Sequence, residues 1–545
     1  MIRKTKLTEF RFCTQDAPKP RAVTVPHTWN VDDGLEEYVG SARYSAEIDV
    51  PSPTWKTVLR FQAVYHTCTV FLNGKKAGEH HGSGYTPFLI DVTPFVQAGR
   101  NHLEVLCENT YTEQSLPHKK DFDWACDGGI LRPVEWMEYD ENCARSCRIT
   151  GTVLEFLQDD RCRAEVSCDI CLWENEPKPY RLQVADALGE TVHTQEGTLD
   201  GKKLCFTLEN TALWSPEHPA LYTLRLSVGE EEQSYRFGVR KIETRGDKIY
   251  LNGRALKLIG VEWMPGSNPK YGMAEPESEQ EKFLSMLKDL NCNFTRFHWQ
   301  QSDFTLDWCD EHGILVQEEI PYWGSPKAAG ETQTKIAKRQ ADDMLEFHYN
   351  HPSIVCWGVG NELGGHKKAT IAYVREMYRY FKAGDPMRLV NYVSNTMANP
   401  RMLFSGEVSA DATAVGDICM WNEYLGTWMP SKNYERDMRR ALSRAEGKPL
   451  VITEFGLCEP AHKGGDPRRI EIYKEKTALY EKLDFAGWVY FCLNDYRTHI
   501  GESGSGKHKQ RIHGSVDLEG AKKPSYAFVK AHNARWQTKQ KEEKA

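Results

Sequence analysis

The chain has 545 residues, too many for one hydrophobic core and enough for about three domains. Its formal net charge is -8, with 69 Lys and Arg against 77 Asp and Glu, which offers no basic field for a nucleic acid and argues against such a partner. No run approaches the ~20 apolar residues of a membrane-spanning helix, so no membrane partner is expected.

Basic residues near the start, Arg3, Lys4 and Lys6, are not followed by an apolar run, so no secretory signal is expected there. Sixteen cysteines are scattered without regular spacing, which fits free thiols and a cytoplasmic location better than a disulfide framework. Cys168 and Cys171 form a lone Cys-x-x-Cys; without a second pair it falls short of the four ligands of a structural zinc site.

In chain order, short alternating runs come first. Thr57-Val58-Leu59-Arg60-Phe61 and Thr69-Val70-Phe71-Leu72 alternate apolar and polar residues, and the second run closes on Asn73-Gly74, a strong hairpin signal. Residues 1–140 are therefore expected to form a β jelly-roll sandwich. A second β block, 141–240, carries Ala164 to Cys168, Arg181 to Val184 and Leu221 to Leu226 as strands, a size that suits an immunoglobulin-like sandwich.

From 241 to 545 apolar strands alternate with amphipathic helices, the signature of a parallel α/β arrangement. Eight strands are expected to begin near Lys257, Phe294, Ile314, Ile354, Leu389, Ile418, Leu450 and Phe485. Helical stretches include 279–290, 335–349, 367–381 and 468–483. A closed (β/α)8 barrel is the simplest fold, with functional groups at the C-terminal ends of its strands.

Two of those ends carry an unexpected charge. Ile354-Val355-Cys356-Trp357-Gly358-Val359-Gly360-Asn361-Glu362 and Leu450-Val451-Ile452-Thr453-Glu454-Phe455-Gly456 are apolar runs that stop on a glutamate. Burying a carboxylate costs several kcal/mol unless it is paired, so two at the mouth of one barrel point to a site that uses them. Paired carboxylates fit glycoside hydrolysis, and their separation distinguishes retention from inversion.

With Gly360-Asn361-Glu362 and Ile452-Thr453-Glu454-Phe455-Gly456, the chain resembles glycoside hydrolase family 2, the group that contains β-galactosidases and β-glucuronidases. The resemblance covers nearly the whole length: sugar-binding jelly roll, immunoglobulin-like domain, barrel. It implies a retaining exo-β-glycosidase in which Glu362 is the acid/base and Glu454 the nucleophile. Asn361 is then placed for the sugar 2-hydroxyl.

The same resemblance covers weaker segments. Asn422-Glu423-Tyr424-Leu425-Gly426-Thr427-Trp428 is similar to the family's Asn-x-Tyr-x-Gly segment, which implies Tyr424 hydrogen-bonding the nucleophile beside Asn422, with Trp428 lining the sugar pocket. His298, in Thr295-Arg296-Phe297-His298-Trp299, resembles the family's sugar-contacting histidine. Asp123, with Asp121 as the alternative, matches an aspartate sent into the barrel mouth ahead of Gly129-Ile130-Leu131-Arg132. Phe491 stands where many relatives have a tryptophan.

The sugar is less legible. Family β-glucuronidases carry an Asn-x-Lys pair after a late arginine; in Arg511-Ile512-His513-Gly514-Ser515-Val516-Asp517 the arginine matches, but Ser515 and Asp517 replace the pair. An aspartate facing a uronate would repel it, which favours a neutral β-galactoside. The loop nevertheless holds Arg497, His499, Lys507, His508, Lys509, Arg511 and His513, so a β-glucuronide or β-galacturonide is the alternative. A non-catalytic carbohydrate-binding relative is the reading from another class. No cofactor or metal is required by two-carboxylate chemistry, the expected partner is a carbohydrate or glycoconjugate, and homo-oligomers are common in this group.

Overall fold

A computed structural model describes the chain except residues 1–2, 119–122, 175, 325–329, 400–410, 502 and 545. It divides into two compact units, one formed by Met1–Thr110, Asp127–Lys241 and Asp342–Pro352, the other by Tyr111–Cys126, Ile242–Ala341 and Ser353–Ala545.

The first unit holds two β-sandwiches. In the first, a six-stranded sheet centred on Ser41–Val50 and Gly99–Glu108 shares one core with a four-stranded sheet centred on Val134–Tyr139 and Lys56–Phe61. Alternation in sequence becomes alternation in burial: Val70, Leu72, Leu103 and Val105 point into that core. The Asn73-Gly74 turn joins antiparallel strands Thr67–Leu72 and Lys75–His80, and both turn residues have positive φ, 53° and 75°, as the tight hairpin demands.

The second sandwich packs a three-stranded sheet against a four-stranded one around Val166, Leu182, Leu224 and Phe206. Seven strands in this split match the immunoglobulin-like expectation. Cys168 is buried and Cys171 exposed on the same strand, Arg161–Leu172, so the two thiols do not face a common site.

The second unit is a closed parallel barrel of eight strands: Leu258–Val261, Phe294–Phe297, Leu315–Glu319, Ile354–Asn361, Leu389–Ser394, Cys419–Asn422, Leu450–Glu454 and Gly487–Tyr490. Every residue of these strands is buried, which is why they read as apolar runs rather than alternating ones. Closure is made by the first strand pairing with the eighth, Leu258 opposite Gly487 through Val261 opposite Tyr490.

Helices between the strands begin and end on local chemistry. Asp303–His312 starts at Ser302, whose side chain accepts from the Thr305 backbone, and stops at Gly313 in the left-handed region, φ 67°. Asn433 caps Tyr434–Arg444 in the same way. The segment Tyr111–Cys126, which in sequence interrupts the first sandwich, belongs to the barrel unit and brings Asp123 with it.

Candidate active site

The strand tips converge. Glu262 follows the first strand, Arg296 and His298 come from the second, Glu319 ends the third, Asn361 and Glu362 the fourth, Asn422 the sixth, Glu454 the seventh, and Phe491 follows the eighth. All lie at the C-terminal ends, where a barrel leaves its strands open to ligands. A cavity of about 320 Å³ there is lined by Asp123, His298, Asn361, Glu362, Tyr424 and Glu454, with Trp428, Phe491 and Arg511 among its other walls.

Register irregularities aim the key side chains. Pairing of the fourth strand with the fifth slips between Gly358 and Asn361, and that of the sixth with the seventh slips between Trp421 and Asn422. Glu362 itself sits at φ 55°, a left-handed conformation costly for a residue with a Cβ, and its N–H is held by the Val393 carbonyl at 2.9 Å. Gly360, at φ 145°, is required just before it, because a Cβ there would meet the Tyr322 carbonyl at 3.0 Å.

One amide ties the two glutamates together. Asn422 Nδ2 stands 2.8 Å from Glu362 Oε1, 2.8 Å from Glu454 Oε1 and 3.0 Å from Asn361 Oδ1. Asn422 is itself held, its Oδ1 accepting from Thr453 Oγ1 at 2.9 Å. Tyr424 donates to the other oxygen, Glu454 Oε2, at 2.9 Å; burial first and then Glu454 push its phenol well above the usual range, so it stays a donor. Trp323 Nε1 approaches Glu362 Oε2 at 3.3 Å.

Beneath them lies a fully buried charge cluster. Arg296 reaches Glu319 with Nε at 3.2 Å and Nη2 at 3.0 Å, and its Nη1 spans Glu454 Oε1 at 2.8 Å and Glu262 Oε2 at 3.2 Å. His298 stands between the same two carboxylates, Nδ1 2.7 Å from Glu262 Oε1 and Nε2 3.5 Å from Glu454 Oε1, without a hydrogen bond at Nδ1. Burial, then Arg296, lowers the His298 imidazole to about 4, so the ring is neutral near pH 7.

Burial pushes both Glu362 and Glu454 upwards from the ordinary carboxylate range. Hydrogen bonds from Asn422 and Trp323 oppose it at Glu362; the charge of Arg296 opposes it at Glu454. Glu262, His298 and Glu454 offer ligand atoms within 4.8 Å of one another, a set that could hold a metal ion, and Arg296 already places a positive charge against two of the three.

At the far wall Asp123 Oδ1 lies 2.8 Å from Arg511 Nε and Oδ2 accepts from Tyr496 at 2.9 Å. Asp121 lies outside the described residues. Of the seven basic loop residues, Arg511 and His513 line the cavity. Arg497 instead donates to the Lys507 carbonyl at 2.9 Å, and His499 Nε2 accepts from the Cys126 N–H at 3.1 Å.

The expectation that Asp517 would repel a uronate is corrected. Its carboxylate accepts from the Glu519 and Ala521 N–H groups of its own turn at 3.0 and 2.8 Å, and it is not among the cavity-lining residues. Ser515 is buried, its N–H donating to the Cys492 carbonyl at 3.2 Å. Unforeseen from sequence were Glu262, Glu319, Tyr496 and Trp323; the two glutamates carry the signal already used for Glu362 and Glu454, a carboxylate on an apolar strand tip.

Comparison with known families now adds to this geometry. Residues 242–483 match the model of the glycosyl hydrolases family 2 TIM barrel domain, 8–139 the family 2 sugar binding domain, and 147–240 a further glycosyl hydrolases family 2 domain. The chain belongs to glycoside hydrolase family 2.

Among curated relatives, a β-glucuronidase of Bacteroides fragilis is 29% identical over 82% of this chain and 67% of its own, and a β-galactosidase of Thermoanaerobacterium thermosulfurigenes is 27% identical over 91% and 70%. The chain spans 43% to 70% of the length of these two and two further curated relatives, from Formosa agariphila and Thermoanaerobacter pseudethanolicus. A solved family 2 β-galacturonidase of Eisenbergiella tayi, bound to galacturonate, superposes with a TM-score of 0.82 at 26% identity, covering 98% of this chain and 97% of that one.

Proposed function

We propose that this hydrolase is a retaining exo-β-glycosidase acting on terminal β-hexuronides. The observation that carries the reading of mechanism is the shared Asn422 amide: two oxygens each 2.8 Å from one nitrogen are at most about 5.6 Å apart, which supports a nucleophile and an acid/base on one glycosidic bond rather than the wider gap that inversion needs.

In this reading Glu454 attacks the anomeric carbon, and Glu362 protonates the departing oxygen. The donors divide the roles. Glu454 faces Arg296 Nη1, Asn422 Nδ2 and the Tyr424 hydroxyl, three contacts that favour an anion. Glu362 faces two neutral N–H donors and no cation within salt-bridge distance among the described residues, so burial keeps its proton available. After departure of the aglycone, Glu362 takes a proton from the water that releases the sugar.

The choice of glycone rests on Arg511. It lines the cavity, its Nε is turned to Asp123, and its Nη2 has no hydrogen-bond partner among the described residues, leaving a guanidinium edge for a carboxylate. With Asp517 engaged in its own turn, the argument against a uronide falls away, and likeness to the galacturonate-bound relative supports reading β-galacturonide first. A neutral β-galactoside is the second reading, because Asp123 already sets a carboxylate against that charge.

The test is hydrolysis of nitrophenyl β-galacturonide, β-glucuronide, β-galactoside, β-glucoside and α-arabinopyranoside by the parent and by Arg511→Ala. Cleavage of a uronide, lost selectively by about 100-fold or more in the variant, supports the proposal. A galactoside preference that survives Arg511→Ala refutes the hexuronide assignment. Following the anomeric signal by NMR decides retention.

A further inference from the structure

Two residues beyond Arg511, His513 lines the same cavity and is only 2% exposed. Its backbone is fixed on both sides. Arg469 Nη2 donates to the Ile512 carbonyl at 2.8 Å, and Ile512 and Glu459 exchange backbone hydrogen bonds of 3.1 and 3.4 Å. On the other side Asp495 Oδ1 accepts from the Gly514 N–H at 2.9 Å, and Lys523 Nζ donates to the Gly514 carbonyl at 3.0 Å. Residue 514 has to be glycine for this approach, because a Cβ would meet the Asp495 backbone nitrogen at 2.2 Å.

The ring is fixed as well. It stacks on Tyr496 with centroids 5.8 Å and planes 19° apart, and it meets Phe491 edge-on at 5.0 Å. Among the described residues neither ring nitrogen takes part in a hydrogen bond, and Nδ1 is closed off, which leaves Nε2 as the polar atom on the cavity side. Buried polar groups are ordinarily paired, so a rigid ring in a cavity wall with its hydrogen bonding unspent is shaped for a ligand.

Chemistry narrows that ligand. Burial, then the charge of Arg511, holds the imidazole well below its ordinary range, so the ring is uncharged. One N–H without charge suits a hydroxyl, while the anion falls to the guanidinium of Arg511.

Ring connectivity says which hydroxyl. The carboxyl group of a hexuronide is attached to C5, whose ring neighbours are the ring oxygen, leading to the anomeric carbon between Glu454 and Glu362, and C4. A group beside the carboxylate and away from the glutamates is therefore the 4-hydroxyl. His513 is on that side: Phe491 packs against it and also stacks on His298 at 6.0 Å, so His513 is one aromatic ring removed from the histidine beside Glu454.

We propose that His513 is a specificity-determining residue that donates from Nε2 to the 4-hydroxyl of the hexuronide whose carboxylate Arg511 holds. It thereby separates β-galacturonide from β-glucuronide, which differ only at that carbon. The inference rests on the hexuronide reading above.

The two uronides share a single 4-deoxy analogue, because removing the hydroxyl removes their difference. The experiment compares kcat/KM for nitrophenyl β-galacturonide, β-glucuronide and that 4-deoxy hexuronide in the parent and in His513→Phe. The parent should cleave its preferred uronide about tenfold or more better than the 4-deoxy analogue. In His513→Phe both that ratio and the ratio between the two uronides should fall by about threefold or more; a general loss of rate or of folded enzyme cancels in each ratio, as does the intrinsic reactivity of the substrates. A parent that cleaves the 4-deoxy analogue as well as its preferred uronide overturns the inference without any variant. Ratios in His513→Phe that stay within threefold of the parent's overturn it too, even where Arg511→Ala abolishes uronide cleavage and the hexuronide reading stands. A parent that prefers the galactoside, and keeps that preference in Arg511→Ala, overturns both.

Discussion

Lys476 Nζ lies 2.6 Å from Glu423 Oε1, and both side chains are buried. The pair sits behind the barrel wall: Lys476 also donates to the Leu425 carbonyl at 2.7 Å and covers the Tyr434 ring at 3.8 Å, while Tyr480 donates to the second oxygen of Glu423. Glu423 is the residue between Asn422 and Tyr424, so this buried charge pair fixes the backbone from which both contacts to Glu454 are made.

Breaking the pair at one end should therefore cost stability and activity together. Lys476→Met leaves a buried carboxylate without its cation, a loss of about 3–5 kcal/mol. Adding Glu423→Gln removes the stranded charge and should restore part of it, giving a double-mutant coupling of at least ~1 kcal/mol in urea unfolding. A coupling near zero would show that the two groups do not act as a unit.

Tyr424→Phe removes a charge-assisted hydrogen bond from the ionised nucleophile. Such bonds contribute about 1.5–3 kcal/mol, so kcat/KM should drop by about 10- to 150-fold. Losing a donor to the charged form raises the carboxyl further, and the acid limb of the pH profile should move to higher pH. An acid limb that stays in place would mean that the hydroxyl serves the sugar rather than Glu454.

Much of this arrangement could be read before any coordinates, and the reason is burial. A strand covered on both sides must be apolar throughout, so the eight barrel strands stand out, and a glutamate closing such a run is conspicuous: expected starts at Lys257, Ile314 and Ile418 fall one residue before the observed Leu258, Leu315 and Cys419. Arg296 shows the limit. Its partners Glu319, Glu262 and Glu454 lie 23, 34 and 158 residues away, and no local pattern announces such a meeting. Asp517 failed for the opposite reason, since an aspartate that closes its own turn looks the same in sequence as one that faces a pocket.

Trp323 offers a finer test of Glu362. Its indole N–H favours the ionised carboxylate, so Trp323→Phe should raise the Glu362 pKa and shift the alkaline limb upwards for a substrate with a poor leaving group. Glu362→Gln should remove that limb and slow the same substrate by about 10²–10⁴-fold, with a far smaller loss on a dinitrophenyl glycoside. Equal losses on the two substrates would argue that Glu362 does not protonate the leaving group.

A buried carboxylate beside the nucleophile also weakens the fold at alkaline pH. Burial, opposed by Arg296, raises Glu262 above an unfolded value near 4.5, so the folded state binds an extra proton; the associated stability is full below about 4.5 and is lost as pH rises through about 8. The group can contribute a slope of up to about 1.4 kcal/mol per pH unit across that window. The parent's unfolding temperature should fall between pH 6 and 9, and Glu262→Gln, which cannot ionise, should flatten the fall and melt higher than the parent at pH 9. A variant that melts in parallel with the parent across this range would place the ionising group outside the Arg296 cluster.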